Sequence, residues 1–430
     1  VDLSNSSVNI SPDNIPRNQK NTAGSNSIVV GAQNTTDNNW GTIAVGMANT
    51  ATENSAMAVG NGNQATGGAA VAMGAYNQAK GRASVAIGNV SMANAEDSIA
   101  IGNRANVNAS NDSDRGSGQF SIAMGRESWA KGTDNISIGH KAETNSSGDS
   151  IAMGRESKAN NANAVAVGPQ AEANGWGGIA VGREAAASAN FATAMGYQSK
   201  ASGSASVAIG KQNKASGDGA VAIGKSNDSK VEDTITMGTS NTASVGGGIA
   251  IGQDNVANSG GTAGNTMIAI GRQNEATAQD TIAIGREAKA KNDLSVAIGN
   301  RTEATANAAI AIGTNGAPSN GNTYKTTASG FAAVAIGMQA NSSGTASTAV
   351  GGKSSATANG ASALGQASEA SAASATALGK EAKASVADGV ALGSQSKATV
   401  DKGVKGFNPA ETRTNKYAGL AGTAQTSTLA

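Results

Sequence analysis

The chain has 430 residues, enough for two or three ordinary domains, yet only 3% are aromatic, 58 are glycine, and alanine supplies most of the apolar content. A thick core of bulky side chains is excluded, so the apolar residues have to work in thin, regular layers. Charge is balanced, at 31 basic against 30 acidic side chains with no basic block, which argues against nucleic acid or another polyanion as partner.

In chain order, residues 1–24 carry no repeat, contain Pro12 and Pro16, and read as a lead-in or cap. The chain starts at Val1 without a signal sequence and has no cysteine, which reads as a processed or truncated fragment of an exported protein. From residue 25 to residue 399 one pattern dominates. A large residue, a small one, a second large one and a glycine recur twenty-five times, from Gly31 to Gly393, mostly 14 residues apart. A short fixed period over most of a chain means a solenoid, in which each unit packs only on its neighbours.

One copy, SVAIGKQNKA from Ser206 to Ala215, shows what a unit is. Large and small residues alternate with period two, the pattern of a strand, and 14 residues leave room for two short strands and two tight turns. The expected fold is therefore all-β, a parallel β-roll whose coils are about 14 residues each. Val207 and Ile209 are expected to face inward, against the small residues Asn213 and Ala215. The second and fourth places after each glycine are mostly polar, as in Glu156 and Lys158 or Glu287 and Lys289, and are assigned to solvent. Stacked coils then set Lys158 beside Glu172, and Glu275, Lys289 and Glu303 in alternating sign. The middle of each triplet is left as a small-residue face, with Ala208, Ala222 and Ala283 expected at a self-association interface.

Three spacings are stretched, at residues 103–120, 253–267 and 314–333, and read as loops at one edge of the coil that leave stacking undisturbed. After Gly393 the pattern lapses, and residues 400–430, with GFNP at Gly406–Pro409 and STLA at Ser427–Ala430, read as the start of a separate module.

The repeated SVAIGKQNKASG of Ser206–Gly217 resembles the head repeat of the YadA-like trimeric autotransporter adhesins, and the resemblance covers residues 25–399. Val29, Ser137 and Thr236 depart from its small triplet residue, usually alanine. The resemblance implies a left-handed roll, three copies side by side as a homotrimer, and display on the outer membrane of a Gram-negative bacterium by a stalk and anchor outside this sequence. It implies binding to host matrix, host cells or other bacteria, with residues 400–430 as the start of a neck or head insert. Residues expected to touch such a partner are Arg115, Trp129, Lys158, Glu172, Lys200 and Tyr324. Aromatic and arginine side chains anchor interfaces, and the charges form the exposed ladder.

Other chemistry has little support in the residues. His140 is the lone histidine and follows a turn glycine, and Asn111, Asp112 and Asp114 match no complete calcium loop. No catalytic centre, metal or cofactor is expected. An ice-binding solenoid or a passive spacer is the alternative reading; the former would present ranked threonines, where this chain repeats alanine and a charged ladder.

Overall fold

The computed structural model describes residues 7–12, 20–107, 118–145, 148–258, 266–314, 325–400 and 428–429. Two compact units divide the chain, Val1–Gly219 and Ala220–Ala430.

In the first unit each coil contains one longer strand and one two-residue strand, joined by tight turns. Met57–Asn61 and Gln64–Ala65 make one such coil, Val71–Ala75 and Gln78–Ala79 the next. Their parallel register is residue on equivalent residue: Met57 pairs with Val71, Ala58 with Ala72, Gly60 with Gly74, and Gln64 with Gln78. The same register holds across the first stretched spacing, where Ile99 pairs with Ile122, so the additional residues leave the stack uninterrupted. Before the first repeat, Val8–Ile10 forms a strand parallel to Ile28–Val30.

The second unit repeats this construction. Ile249–Gln253 stacks on Ile235–Thr239, and the remaining long spacings are again bridged by strand pairing, Ile249 with Ile268 and Ile310 with Val334. Near its end, Thr428–Leu429 pairs in parallel with Gly389 and Val390. The architecture is an all-β parallel solenoid of about 14-residue coils, as the period predicts.

The interior is narrower than expected, and this reverses one assignment. Ala208, Ala222 and Ala283 have no exposed surface in the single chain, because their side chains lie inside the coil with Ser206, Asn213 and Ala215. They are not surface residues and cannot form an interface between copies. Val207 and Ile209 point outward instead and remain half-exposed. The physical reason is the two tight turns per coil, which bring the strand layers too close for facing branched side chains. Among the described residues the largest fully buried side chains are Met267, Val29, Val107 and a set of asparagines. Hydrophobicity alone misled the assignment, since apolar residues also make up much of any surface; volume decides it. The departures Ser137 and Thr236 are buried too, and each finds a hydroxyl partner across the interior: Ser137 Oγ lies 3.2 Å from Thr144 Oγ1, and Ser229 Oγ 2.8 Å from Thr236 Oγ1.

The recurrent glycine is required by contact as well as conformation. At Gly154, φ is +134° and a Cβ would lie 2.5 Å from the Gly168 carbonyl oxygen on the next coil, so no L side chain is accommodated.

The third place after glycine builds the interior in two ways. Where it is asparagine, a ladder runs up the coil: Asn49 Nδ2 donates to Asn34 Oδ1 at 3.0 Å, Asn63 to Asn49 at 3.0 Å and Asn77 to Asn63 at 2.9 Å. Each amide also donates to the glycine carbonyl of the following coil, Asn63 Nδ2 to Gly74 O at 2.8 Å. The second unit has its own ladder through Asn227, Asn241, Asn255 and Asn274. Where alanine or serine at this place does not follow an asparagine rung, the turn can close on itself, as in Ala171 N to Gly168 O at 3.2 Å, whereas the Ser91 and Ala288 N–H groups donate to the Asn77 and Asn274 amide oxygens of the coil before. Both solutions satisfy buried backbone groups that would otherwise be costly to leave unpaired.

Candidate binding surfaces

The outward residues of the long strands form an apolar face. In register along the first unit, Ile122, Ile136, Ile151, Val165 and Ile179 make one column, and Met124, Ile138, Met153, Val167 and Val181 the other. They are uncovered in the single chain: Met124 is 38% exposed, Met153 40% and Ile179 38%. A stacked strip of branched and thioether side chains is the type of surface that marks protein association. The second unit carries a similar strip through Ile235, Ile249, Ile268, Ile282 and Val296. These stretches are valine, isoleucine and methionine; further along, the first column takes Thr193 in the first unit and Thr348, Ser362 and Thr376 in the second.

The short strands present the opposite, polar face. Two rows of side chains flank a groove of about 510 Å³, with Glu127, Lys141, Glu156 and Gln170 on one bank and Trp129, Glu143, Lys158 and Glu172 on the other. The banks are the second and fourth places after successive glycines, and the third place points inward between them, so the groove follows from the repeat itself. Rung-to-rung contacts order it. Lys141 Nζ lies 3.9 Å from Glu127, and Gln170 Nε2 donates to Glu156 at 3.0 Å. Lys131 Nζ donates to Glu143 at 3.2 Å and to Asn145 Oδ1 at 2.7 Å while lying 3.8 Å from the centre of the Trp129 ring. An outer amide row continues from there, with Asn145 Nδ2 donating to Asn160 at 2.9 Å and Asn160 Nδ2 to Asn174 at 2.5 Å. A further groove of about 490 Å³ in the second unit runs past Glu275, Lys289, Arg301 and Glu303.

The charged residues expected on this face lie on it. Lys158 pairs in register with Glu143 and Glu172, and Lys289 stands between Glu275 and Glu303, with its Nζ 3.0 Å from Glu275. Lys200 faces Ala186 and Lys214, so a like-charge step sits within the ladder. Trp129 lies between Asn106 and Glu143, and it is the sole aromatic residue on a two-residue strand among those described. Arg115 and Tyr324 fall outside the described residues, as do Asn111, Asp112 and Asp114. His140 lies in the turn after Gly139, beside Arg126, with 2.7 Å between His140 Nε2 and Arg126 Nη2. Sequence reasoning missed the apolar columns and the outer amide row. The first was hidden by assigning large residues to the core; the second was visible as Asn145, Asn160 and Asn174 recurring at the sixth place after glycine.

Electrostatic shifts on these faces are local and come from hydrogen bonds. Gln198 holds the Glu184 carboxyl below the ordinary carboxylate value, Arg301 and then Arg286 do so for Glu287, and Gln395 for Glu381. The Arg82 guanidinium is raised by its hydrogen bond to Glu96. All four are solvated charges on rung edges. They order neighbouring coils without creating a strongly perturbed acid or base.

One family model matches the chain, the YadA head domain repeat. It covers residues 51–77, 79–105, 117–142, 146–171, 173–199, 201–227, 268–288, 290–315, 328–354, 342–368, 356–382 and 370–396, which together are more than half the chain. No curated protein sequence matches the chain.

Proposed function

The chain belongs to the YadA-like head family of trimeric autotransporter adhesins, and from that premise we propose that it is a cell-surface attachment head that works as a homotrimer. The observation that carries the assembly part is the apolar face: Met124, Met153 and Ile179 belong to a contiguous, uncovered strip that a second and third copy would cover. This replaces the interface of Ala208, Ala222 and Ala283, whose side chains are inside the coil. Residues 1–24 act as the cap, 25–399 as the head and 400–430 as the start of a neck or head insert.

The polar face is then the surface each copy offers to a partner. Trp129, Lys158, Glu172 and Lys200 are the described contact candidates, with Arg115 and Tyr324 as candidates from sequence. Many shallow contacts, presented three times, gain strength by effective concentration rather than by one deep pocket. The partners that fit are extracellular matrix, host cell surfaces or other bacteria, met from the outer surface of a Gram-negative cell. Display of the chain on a non-adherent bacterium should promote attachment or cell aggregation. Charge reversal at Lys158, Glu172 and Lys200 together should weaken it, more at low salt than at high salt. Failure to attach to matrix proteins, host cells and bacteria alike would leave a passive spacer as the account.

A further inference from the structure

Resting on the reading of the polar face as the partner surface, we propose that the groove beside Trp129 binds a neutral oligosaccharide chain laid along the coil axis. The assignment comes from the chemistry gathered there. Trp129 is the sole described aromatic on any short strand, and it stands in the bank of the groove, 38% exposed, rather than at a turn. An indole offers an apolar face with a polar edge, which suits the C–H face of a pyranose ring. Lys131, held by Glu143 and Asn145, fixes the ring from one side at 3.8 Å, so the platform is oriented before a ligand arrives.

Hydrogen-bonding groups repeat on the rungs that follow. Carboxylates at Glu143 and Glu172 accept from hydroxyls, Lys158 donates, and the Asn145, Asn160 and Asn174 amides offer both functions alongside. Successive rungs are ~4.8 Å apart, a repeat of the same order as the rise of an extended sugar chain. Successive sugars therefore meet equivalent places on successive coils. On the rung before Trp129, the Asn106 amide oxygen is covered and has no hydrogen-bond partner among the described residues. A ligand hydroxyl reaching this rung would donate to it and remove the cost of an unmet acceptor.

Charge selects the class of sugar. The groove carries the four carboxylates Glu127, Glu143, Glu156 and Glu172 against the ammonium groups of Lys141 and Lys158 in its lining and of Lys131 beside Trp129, so the acidic side remains in excess. That balance disfavours sulfated or uronic acid polymers and leaves uncharged chains as the ligands that fit.

The test uses the full assembled chain with Trp40→Phe and Trp176→Phe, so that fluorescence reports Trp129 alone. Chitotetraose, cellotetraose and maltotetraose are titrated as neutral probes, with a heparin decasaccharide as the polyanion. At least one neutral probe should shift the emission and bind with little salt dependence. In the otherwise unchanged chain, followed by calorimetry, Trp129→Ala should weaken that binding by about tenfold or more. Trp129→Tyr should retain part of it, and Trp40→Ala should leave it unchanged. Absence of binding by all three neutral probes, binding insensitive to Trp129→Ala, or salt-sensitive binding of heparin alone would each overturn the proposal. Parallel attachment assays separate the two levels: a chain that attaches but binds no neutral probe refutes only the saccharide assignment, and a chain that attaches to nothing refutes the adhesive reading itself.

Discussion

Replacement of Asn63 by alanine probes the interior most sharply, because the structure supplies both the damage and its repair. The two N–H groups of the Asn63 amide are shared among Asn49 Oδ1 at 3.0 Å, Val59 O at 3.0 Å and Gly74 O at 2.8 Å, and its oxygen accepts from Asn77 N at 3.1 Å and Asn77 Nδ2 at 2.9 Å. If every freed group stayed unpaired, the cost would reach several kcal/mol at about 1–3 kcal/mol per buried orphan. Two of the orphans, however, sit in one turn. Gly74 O and Asn77 N–H stand in the relation in which Gly168 O and Ala171 N–H bond directly, at 3.2 Å, where the third place is alanine. Asn77 Nδ2 keeps Met73 O and Gly88 O, and Asn49 Oδ1 keeps the Asn63 N–H. The expected net cost of Asn63→Ala is therefore about 1–2 kcal/mol. Asn63→Asp cannot be repaired in this way, because a buried carboxylate would face three acceptors, and it should cost roughly twice as much or more. Because a solenoid unfolds by neighbouring units rather than as one block, hydrogen exchange over residues 74–79 is the suitable assay. Protection there should persist in Asn63→Ala and collapse in Asn63→Asp. Equal loss in the two variants would refute the turn-switching argument.

Ala208→Asp should cost several kcal/mol, since the side chain has no exposed surface and no partner for a charge, while Lys214→Asp on the polar face should change little; thermal melts that do not separate the two would return the triplet centre to the surface. Val90 is a branched residue at φ +58° with its N–H bonded to Ala75 O at 2.9 Å, so Val90→Asn should stabilise by about 1 kcal/mol, and a lower melting temperature would show that packing rather than conformation governs the site. Glu184, Glu287 and Glu381 have depressed folded values, so their stabilising contribution is present above the unfolded carboxylate range and is lost as pH falls through the folded values. As solvated groups they should produce only a shallow fall in melting temperature below about pH 4, reduced by Glu287→Gln; a decline already between neutrality and about pH 5 would require other groups.

The period of Gly31 to Gly393 made the solenoid legible, since 14 residues admit few other backbones, and equivalent residues do pair on successive coils. The inward third and fifth places were readable from their small size, and the polar second and fourth places from their charge. The triplet was misread because Val207 and Ile209 are the more hydrophobic pair, while the turn geometry that makes the interior too thin for them is not written in any one residue. Asparagine at the third place, such as Asn213, reads from the sequence simply as a small residue. Its ladder depends on the glycine carbonyl of the next coil being within reach, which only three dimensions reveal. The groove beside Trp129 was half legible: the aromatic stood out by scarcity, whereas its flanking amides matter only once residues about 14 apart are stacked.

The central claim is that the chain attaches as an assembly closed over its apolar long-strand face, leaving the charged face free. Glutamate at Ile122, Ile136 and Ile151 together tests it, because these side chains lie on successive rungs of that face and none enters the coil. Sedimentation velocity of this variant beside the unaltered chain, with circular dichroism to verify the coil, is the measurement. The account predicts a trimer for the unaltered chain and a folded monomer with greatly weakened attachment for the variant. A variant that sediments as an unchanged trimer would contradict it.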